Sequence, residues 1–322
     1  MSEKGLIADI GGTNARFSLC DLNGKITDSL VLQCRDYPSL TEAVRGYFEK
    51  TGNDLTNVKH AAMAIACPVL SDEISMTNCD WRFSKAQMQK DLGLDSFALV
   101  NDFIAQALAV PCLKADEKVK IGAGEGKMGF PVAVIGPGTG LGVSILIPSN
   151  NGDFIPVASE GGHATIPATN DKEAELLAVL RRTWGHVSAE RVVSGMGLVN
   201  VYGALRVMNG LAADEKTAAE ISGAAVAGDA LCRDALMTMF AFLGTLAGNV
   251  TLTAGALGGV YLAGGILPRK GVLELFKASE FRNRFASKGR FQSYLENIPT
   301  YVMTAENPAF LGLAHLVRKK IV

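Results

Sequence analysis

Neither sign of charge dominates this chain. Lys and Arg number 31 against 32 Asp and Glu, so the electrostatic footprint of a nucleic-acid or anionic-membrane binder is missing. No nucleic-acid and no membrane partner is expected, and ligands are to be sought in pockets. Organised cysteine is missing too. Cys20, Cys34, Cys67, Cys79, Cys112 and Cys232 are scattered in mostly apolar contexts, with no C-x-x-C pair and no His/Cys cluster at zinc-ligand spacing; they read as reduced core thiols. The apolar run after Met1 to Gly5 is broken at Asp9 and too short for a signal peptide, which points to the cytoplasm.

Charge is absent altogether from Ala235 to Pro268, a stretch long enough for a membrane helix. Its internal grammar argues otherwise. Gly244, Gly248, Gly255, Gly258, Gly259, Gly264 and Gly265 punctuate it, and Thr245, Asn249, Thr251 and Thr253 make its centre polar. A buried helix to about Ala254, a turn over Gly255 to Gly259 and a buried strand account for it. Gly244-x-x-x-Gly248 then implies close helix packing.

Common nucleotide loops are also lacking. In Gly136-Pro137-Gly138-Thr139-Gly140-Leu141-Gly142 the third glycine of G-x-G-x-x-G falls on Leu141. No G-x-x-x-x-G-K-[ST] exists, because the two Gly-Lys pairs are followed by Ile26 and Met128. Asn101-Asp102-Phe103 continues with Ile104, where a protein kinase needs glycine.

What is present is one plan used repeatedly. An apolar strand, Gly5 to Ile10, carries a single carboxylate at Asp9; Gly11-Gly12-Thr13-Asn14 turns it, and an alternating run to Leu19 leaves. Two glycines let backbone N–H groups approach an anion, and a carboxylate ending a buried strand suits water-bridged Mg²⁺. The plan recurs from Val132 to Ile147 around Gly136–Gly142, and a third apolar strand, Val260 to Ile266, ends in Gly264-Gly265 without a returning strand.

Between these loops, Ile26 to Cys34 reads as a third antiparallel strand, Ser39 with Glu42 as the cap of a helix to about Thr51, and Val58 to Ala66 as a buried strand. Ser84 with Gln87 caps a helix over Lys85 to Asp91. Phe97 to Val100 is a strand that turns at Asn101-Asp102 into a helix, Phe103 to Val110. Lys114 to Gly129 reads as an exposed connection. Beyond the second hairpin, a turn is expected over Pro148 to Gly152, a strand over Phe154 to Ala158, a helix capped by Asn170 and running to Trp184, and a helical stretch opening at Ser188. Helices follow at Thr217 to Val226, from Asp229, at Val272–Lys277 and at Phe281–Ala286, then a strand at Ile298 to Met303 and a helix from Pro308 to Lys319. At 322 residues the chain has room for two packed domains. From position alone, Asp102 is either an N-cap or a reactive carboxylate, His163 a turn histidine or a ligand, and Glu190 a first-turn acid or a ligand.

Asp9-Ile10-Gly11-Gly12-Thr13-Asn14, Gly136 to Gly142 and Leu262-Ala263-Gly264-Gly265-Ile266 resemble the phosphate-1, phosphate-2 and adenosine loops of the sugar kinase, actin and Hsp70 superfamily. Asn101-Asp102-Phe103, Glu160-Gly161-Gly162-His163 and Gly185-His186-Val187-Ser188-Ala189-Glu190-Arg191 narrow the resemblance to the bacterial ATP-dependent glucokinase family, outside the ROK branch. It implies an α/β, two-domain actin-like ATPase fold: ribonuclease H-like duplicated domains around an interdomain cleft, with 1–112 plus 303–322 as the smaller α/β domain and 113–302 as the larger α+β domain. The implied reaction is phosphoryl transfer from MgATP to the 6-hydroxyl of glucose, feeding glycolysis. The implied ATP contacts are Ala8, Asp9, Ile10, Gly11, Gly12, Thr13, Asn14, Gly138, Thr139, Gly264 and Gly265, with Asp9 also holding Mg²⁺ through water. The implied sugar ligands are Asn101, Asp102, Gly140, Glu160, His163 and Glu190, with Asp102 as the base. A homodimer is implied by the resemblance alone, and no structural metal is expected because the cysteine-rich zinc motif of the ROK branch is missing.

Overall fold

A computed structural model describes residues 4–76, 79–150 and 152–321. Met1 to Glu3, and Asn151 of the turn expected at Pro148 to Gly152, lie outside the described residues. The chain divides into two compact units, Met1–Lys114 with Ala305–Val322, and Ala115–Thr304.

In the first unit, β1 (Lys4–Ile10), β2 (Asn14–Asp21) and β3 (Ile26–Gln33) form the expected antiparallel meander. Helix α1 (Leu40–Thr51) begins where Ser39 accepts the Glu42 N–H, at 3.2 Å, and is followed by β4 (Val58–Ile65). A short hairpin, β5 (Glu73–Ser75) with β6 (Arg82–Ser84), precedes α2 (Lys85–Asp91), whose cap Ser84 accepts from Gln87 at 3.0 Å. Strand β7 (Ser96–Asn101) then runs directly into α3 (Asp102–Leu108). The sheet order is β3-β2-β1-β4-β7, with β1, β4 and β7 parallel.

Alternation along β1 distributes its side chains to two cores. Leu6, Ala8 and Ile10 join Leu40, Val44 and Tyr47 on one face. Ile7 joins Ala62, Ala64 and Ala105 on the other, and Asp9 shares that second face.

The second unit opens with a correction. The stretch from Lys114 to Gly129 is not wholly a loop, because β8 (Lys118–Ile121) pairs antiparallel at the sheet edge. Its alternating charged residues are what an edge strand tolerates. β9 (Val132–Pro137), β10 (Leu141–Pro148) and β11 (Phe154–Ser159) repeat the meander. Helix α4 (Asp171–Trp184) starts at Asn170, which accepts the Glu173 N–H at 2.9 Å. A second correction falls at Ser188–Arg191, where the chain makes turns rather than a helix. Ser188 bridges to Thr165, and the next helix waits for Ser194, whose hydroxyl accepts the Gly197 N–H at 2.8 Å to start α5 (Gly195–Met208).

Then come α6 (Ala218–Ala227), α7 (Ala230–Ala254), β12 (Gly259–Leu262), α8 (Val272–Lys277), α9 (Phe281–Ala286), α10 (Gln292–Glu296) and β13 (Thr300–Met303). The sheet order is β11-β10-β9-β12-β13-β8. Leaving out β8, each unit has an antiparallel meander whose first strand lies beside two parallel strands, which is one topology used twice. Finally α11 (Pro308–Ile321) returns to the first unit, where Phe310, Leu313 and Val317 pack on Ile7 and Ala62.

Helix α7 has the length and apolar character of a membrane span, yet most of it is buried in the second unit's core. Its glycines mark where α9 presses on it. A Cβ at Gly244 would collide with the Phe281 carbonyl, and one at Gly248 would lie 2.5 Å from the Phe285 carbonyl. Gly244→Ala is therefore expected to destabilise by about 1–3 kcal/mol, the usual cost of overpacking, read as a lower midpoint in urea. An unchanged midpoint would mean that the helices can separate freely.

Candidate active site

In the first unit, register brings the candidate residues to the carboxyl ends of the parallel strands, where open α/β sheets bind ligands. Asp9 pairs with Ala64 and Ala64 with Val100, so Asp9 and the β7–α3 junction end at one level. Gly11 donates its N–H to the Asn14 carbonyl at 2.9 Å, closing the tight turn over Gly12 and Thr13. Thr13 is exposed, with its carbonyl tied to the Cys34 N–H at 2.9 Å. Asn14 accepts from the Gln33 side-chain amide at 2.6 Å.

The N-cap of α3 is Asn101, whose Oδ1 accepts the Phe103 N–H at 2.9 Å. Asp102 is the first helical residue. Its Oδ1 accepts the same N–H at 2.8 Å. Burial pushes the Asp102 carboxyl above the usual range, opposed by the Phe103 N–H and reinforced by the charge of Asp9. Asp9 is likewise raised by burial, with Arg16 at 3.7 Å pulling the other way. Two half-buried carboxylates with one loosely placed guanidinium leave negative charge for a cation to neutralise. Mg²⁺ fits such a donor set, since it keeps most of its waters and takes one or two carboxylates beside phosphate oxygens.

In the second unit, the β9–β10 hairpin turns through Gly138, Thr139 and Gly140, closed by the Gly138 N–H on the Gly140 carbonyl at 2.9 Å. Gly264, at a φ of +87°, lies so close that a Cβ would strike the Pro137 carbonyl. The hairpin and the Gly264-Gly265 turn thus abut. On the hairpin's other side, the Gly195 N–H at the start of α5 donates to the Gly138 carbonyl at 2.8 Å. Glu160 precedes a single 3₁₀ turn, Gly161–His163, and His163 ends it, with His163 Nε2 3.9 Å from Glu160 Oε2 and both side chains exposed. Glu190 reaches this group from the turn before α5, where its N–H donates to the Gly162 carbonyl at 2.8 Å and its Oε2 accepts the Leu141 N–H at 2.9 Å.

Residues 6–320 match the glucokinase family. A glucokinase from Paramagnetospirillum magneticum is 46% identical over 318 residues, 98% of either chain. The chain belongs to the glucokinase family. A glucokinase structure from an Antarctic psychrotroph superposes with a TM-score of 0.89 at 34% identity, covering 99% of this chain and 100% of that one. A ROK-family glucokinase from Streptomyces griseus, solved in complex with glucose and AMPPNP, covers 98% of this chain and 99% of that one with a TM-score of 0.65. At 20% identity it shares the fold alone.

The architecture is accordingly the two-domain actin-like ATPase fold of glucokinases and ROK sugar kinases, and the activity is ATP-dependent phosphorylation of glucose. Four participants escaped the sequence candidates. Arg16 faces Asp9 across β1–β2. Ser194 and Gly195 hold the second hairpin through α5, and the Leu141 N–H receives Glu190. Only Arg16 left a signal, being a cation in the alternating run that returns from the first glycine turn.

Proposed function

We propose that Asp102 is the general base that takes the proton of the glucose 6-hydroxyl as it attacks the γ-phosphorus of ATP. The observation that carries this reading is the division of labour at the β7–α3 junction. Asn101 caps the helix, and Asp102 sits half-buried beside it with its carboxyl raised by burial and by the charge of Asp9. A base with a raised carboxyl pKa is better matched to a proton that moves late in a loose transition state.

Gly11, Gly12, Thr13, Asn14, Gly138 and Thr139 take the β- and γ-phosphates through backbone N–H groups and hydroxyls, Ala8 and Ile10 shape the strand beneath, and Gly264 and Gly265 let the adenosine lie on bare backbone. Asp9 would hold Mg²⁺ through water; when bound, the ion neutralises charge developing on the phosphate oxygens. Asn101, Gly140, Glu160, His163 and Glu190 orient the sugar. Paired donors and acceptors of this kind discriminate by leaving buried polar groups unmatched when a hydroxyl is missing or inverted. The product, glucose 6-phosphate, enters glycolysis in the cytoplasm, and the working form is a homodimer.

A coupled assay tests this directly. ADP should form only when glucose is present, and kcat/KM should favour glucose over mannose, fructose and N-acetylated sugars. Hydrolysis of ATP at the same rate without sugar would overturn it.

A further inference from the structure

Glu190 sits where three segments of the second unit meet, and each contact is made by a different part of the residue. Its N–H donates to the Gly162 carbonyl at 2.8 Å, joining it to the turn that carries Glu160 and His163. Its carbonyl accepts the Ser194 hydroxyl at 2.8 Å, and that hydroxyl also receives the Gly197 N–H that starts α5. Its carboxylate reaches the glycine hairpin, where Oε2 accepts the Leu141 N–H at 2.9 Å. The neighbouring Gly140 has no room for a side chain, because a Cβ there would lie 2.6 Å from that same Oε2. A Cβ at Gly162 would strike the Leu141 carbonyl, so the sugar turn and the hairpin touch as bare backbone.

A carboxylate has two oxygens, and here they face different tasks. Oε2 is committed to the hairpin, while Oε1 makes no hydrogen bond to the described residues. We infer that Glu190 is a positioning residue for the nucleotide: one oxygen holds the Gly138–Leu141 turn in register for the phosphates, while the other receives a sugar hydroxyl. The inference rests on the reading of this hairpin as a phosphate loop and of Glu190 as a sugar ligand, and it adds that a single side chain serves both substrates. A hydroxyl on Oε1 and the N–H on Oε2 share one delocalised charge, so each contact polarises the other. Sugar occupancy and phosphate position are thereby coupled through one group.

The test separates the two tasks with conservative variants. Glu190→Gln keeps the reach and still offers an oxygen to the Leu141 N–H; Glu190→Asp keeps the charge but is one methylene too short. Binding of AMPPNP in the absence of glucose, measured by calorimetry, should weaken about tenfold in Glu190→Asp, the scale of a lost hydrogen bond to a charged acceptor. In Glu190→Gln it should stay within about threefold of wild type. Hydrogen exchange at the Leu141 amide should accelerate only in the aspartate variant. If AMPPNP binds Glu190→Asp as it binds wild type, the inference is overturned. A raised KM for glucose with that result keeps the sugar-ligand reading, and an unchanged KM removes it too. Weakened AMPPNP binding with an unchanged glucose KM would overturn the inference as well, leaving Glu190 a support of the hairpin without a sugar contact. Circular dichroism of both variants separates loss of the hairpin contact from loss of folding, since weakened AMPPNP binding supports the inference only in an aspartate variant with the wild-type spectrum.

Discussion

Asp102→Asn is expected to lower kcat by about 10²-fold or more, the ordinary scale for a positioned acid–base group, while leaving the protein folded and more resistant to heat. The rate loss follows because an amide cannot take the sugar proton. The gain in stability follows from linkage. Burial and Asp9 raise the folded-state pKa of Asp102, so ionisation costs the folded state energy. That cost is absent below the unfolded pKa, where both states hold the proton, and is fully present above the folded pKa. An amide removes the charge and can still accept the Phe103 N–H that Asp102 now receives. In the wild type, kcat/KM should fall on the acid side at a pH above the usual aspartate range of about 4, since only the ionised base works. Near-normal kcat in the variant would remove Asp102 from the role. An acid limb no higher than that of an exposed aspartate would mean that its carboxyl is solvated during turnover.

The largest structural effect is expected at Glu173 and Arg284. Glu173 is 4% exposed, so burial opposes its ionisation, but bidentate contact with Arg284 at 2.6 and 3.1 Å and the Thr169 N–H at 2.8 Å outweigh this and hold its pKa low. Arg284 also donates to Thr245 Oγ1 at 2.8 Å, so the pair ties α4 and α9 to the middle of α7. Arg284→Ala leaves a buried carboxylate without its counter-charge and should destabilise by about 3–5 kcal/mol. In a unit of this size that is a fall of roughly 10 °C in the melting midpoint. Arg284→Met with Glu173→Leu should recover much of the loss, because an apolar pair leaves no charge unpaired. The wild-type contribution is present above the unfolded carboxyl pKa and disappears as pH falls through the lowered folded value. A single variant that melts with wild type would mean that water reaches the site.

How much of this was legible in the sequence depended on how local the cause was. The Ser39, Ser84 and Asn170 caps act over three residues, and each stands where its spacing placed it. The glycine-rich turns at Gly11-Gly12, Gly138-Thr139-Gly140 and Gly264-Gly265 announce close backbone approach by composition alone. The β8 strand was hidden because its partner, β13, lies some 180 residues along the chain, as the Thr300–Ile121 bond records. Ser188 looked like a helix start for the same reason: its local pattern was sound, but pairing with Thr165 and the Glu190 contacts to Gly162 and Leu141 competed successfully for that backbone. The Asn101 cap left Asp102 free for chemistry, and two adjacent polar residues cannot reveal which of them caps.

Helix α11 packs against β1 so closely that Gly5 must lack a side chain to admit Val317, and Gly312 must lack one to admit the Ala105 carbonyl. A strand that precedes unit 2 in the chain is therefore completed by a helix that follows it. Unit 2 is one uninterrupted segment, and every residue it needs has been synthesised before α11 begins. The first unit must wait with Ile7, Ala62 and Ala64 uncovered. Its exposure to aggregation and to chaperones lasts at least as long as translation of unit 2, and ends only once α11 has been made.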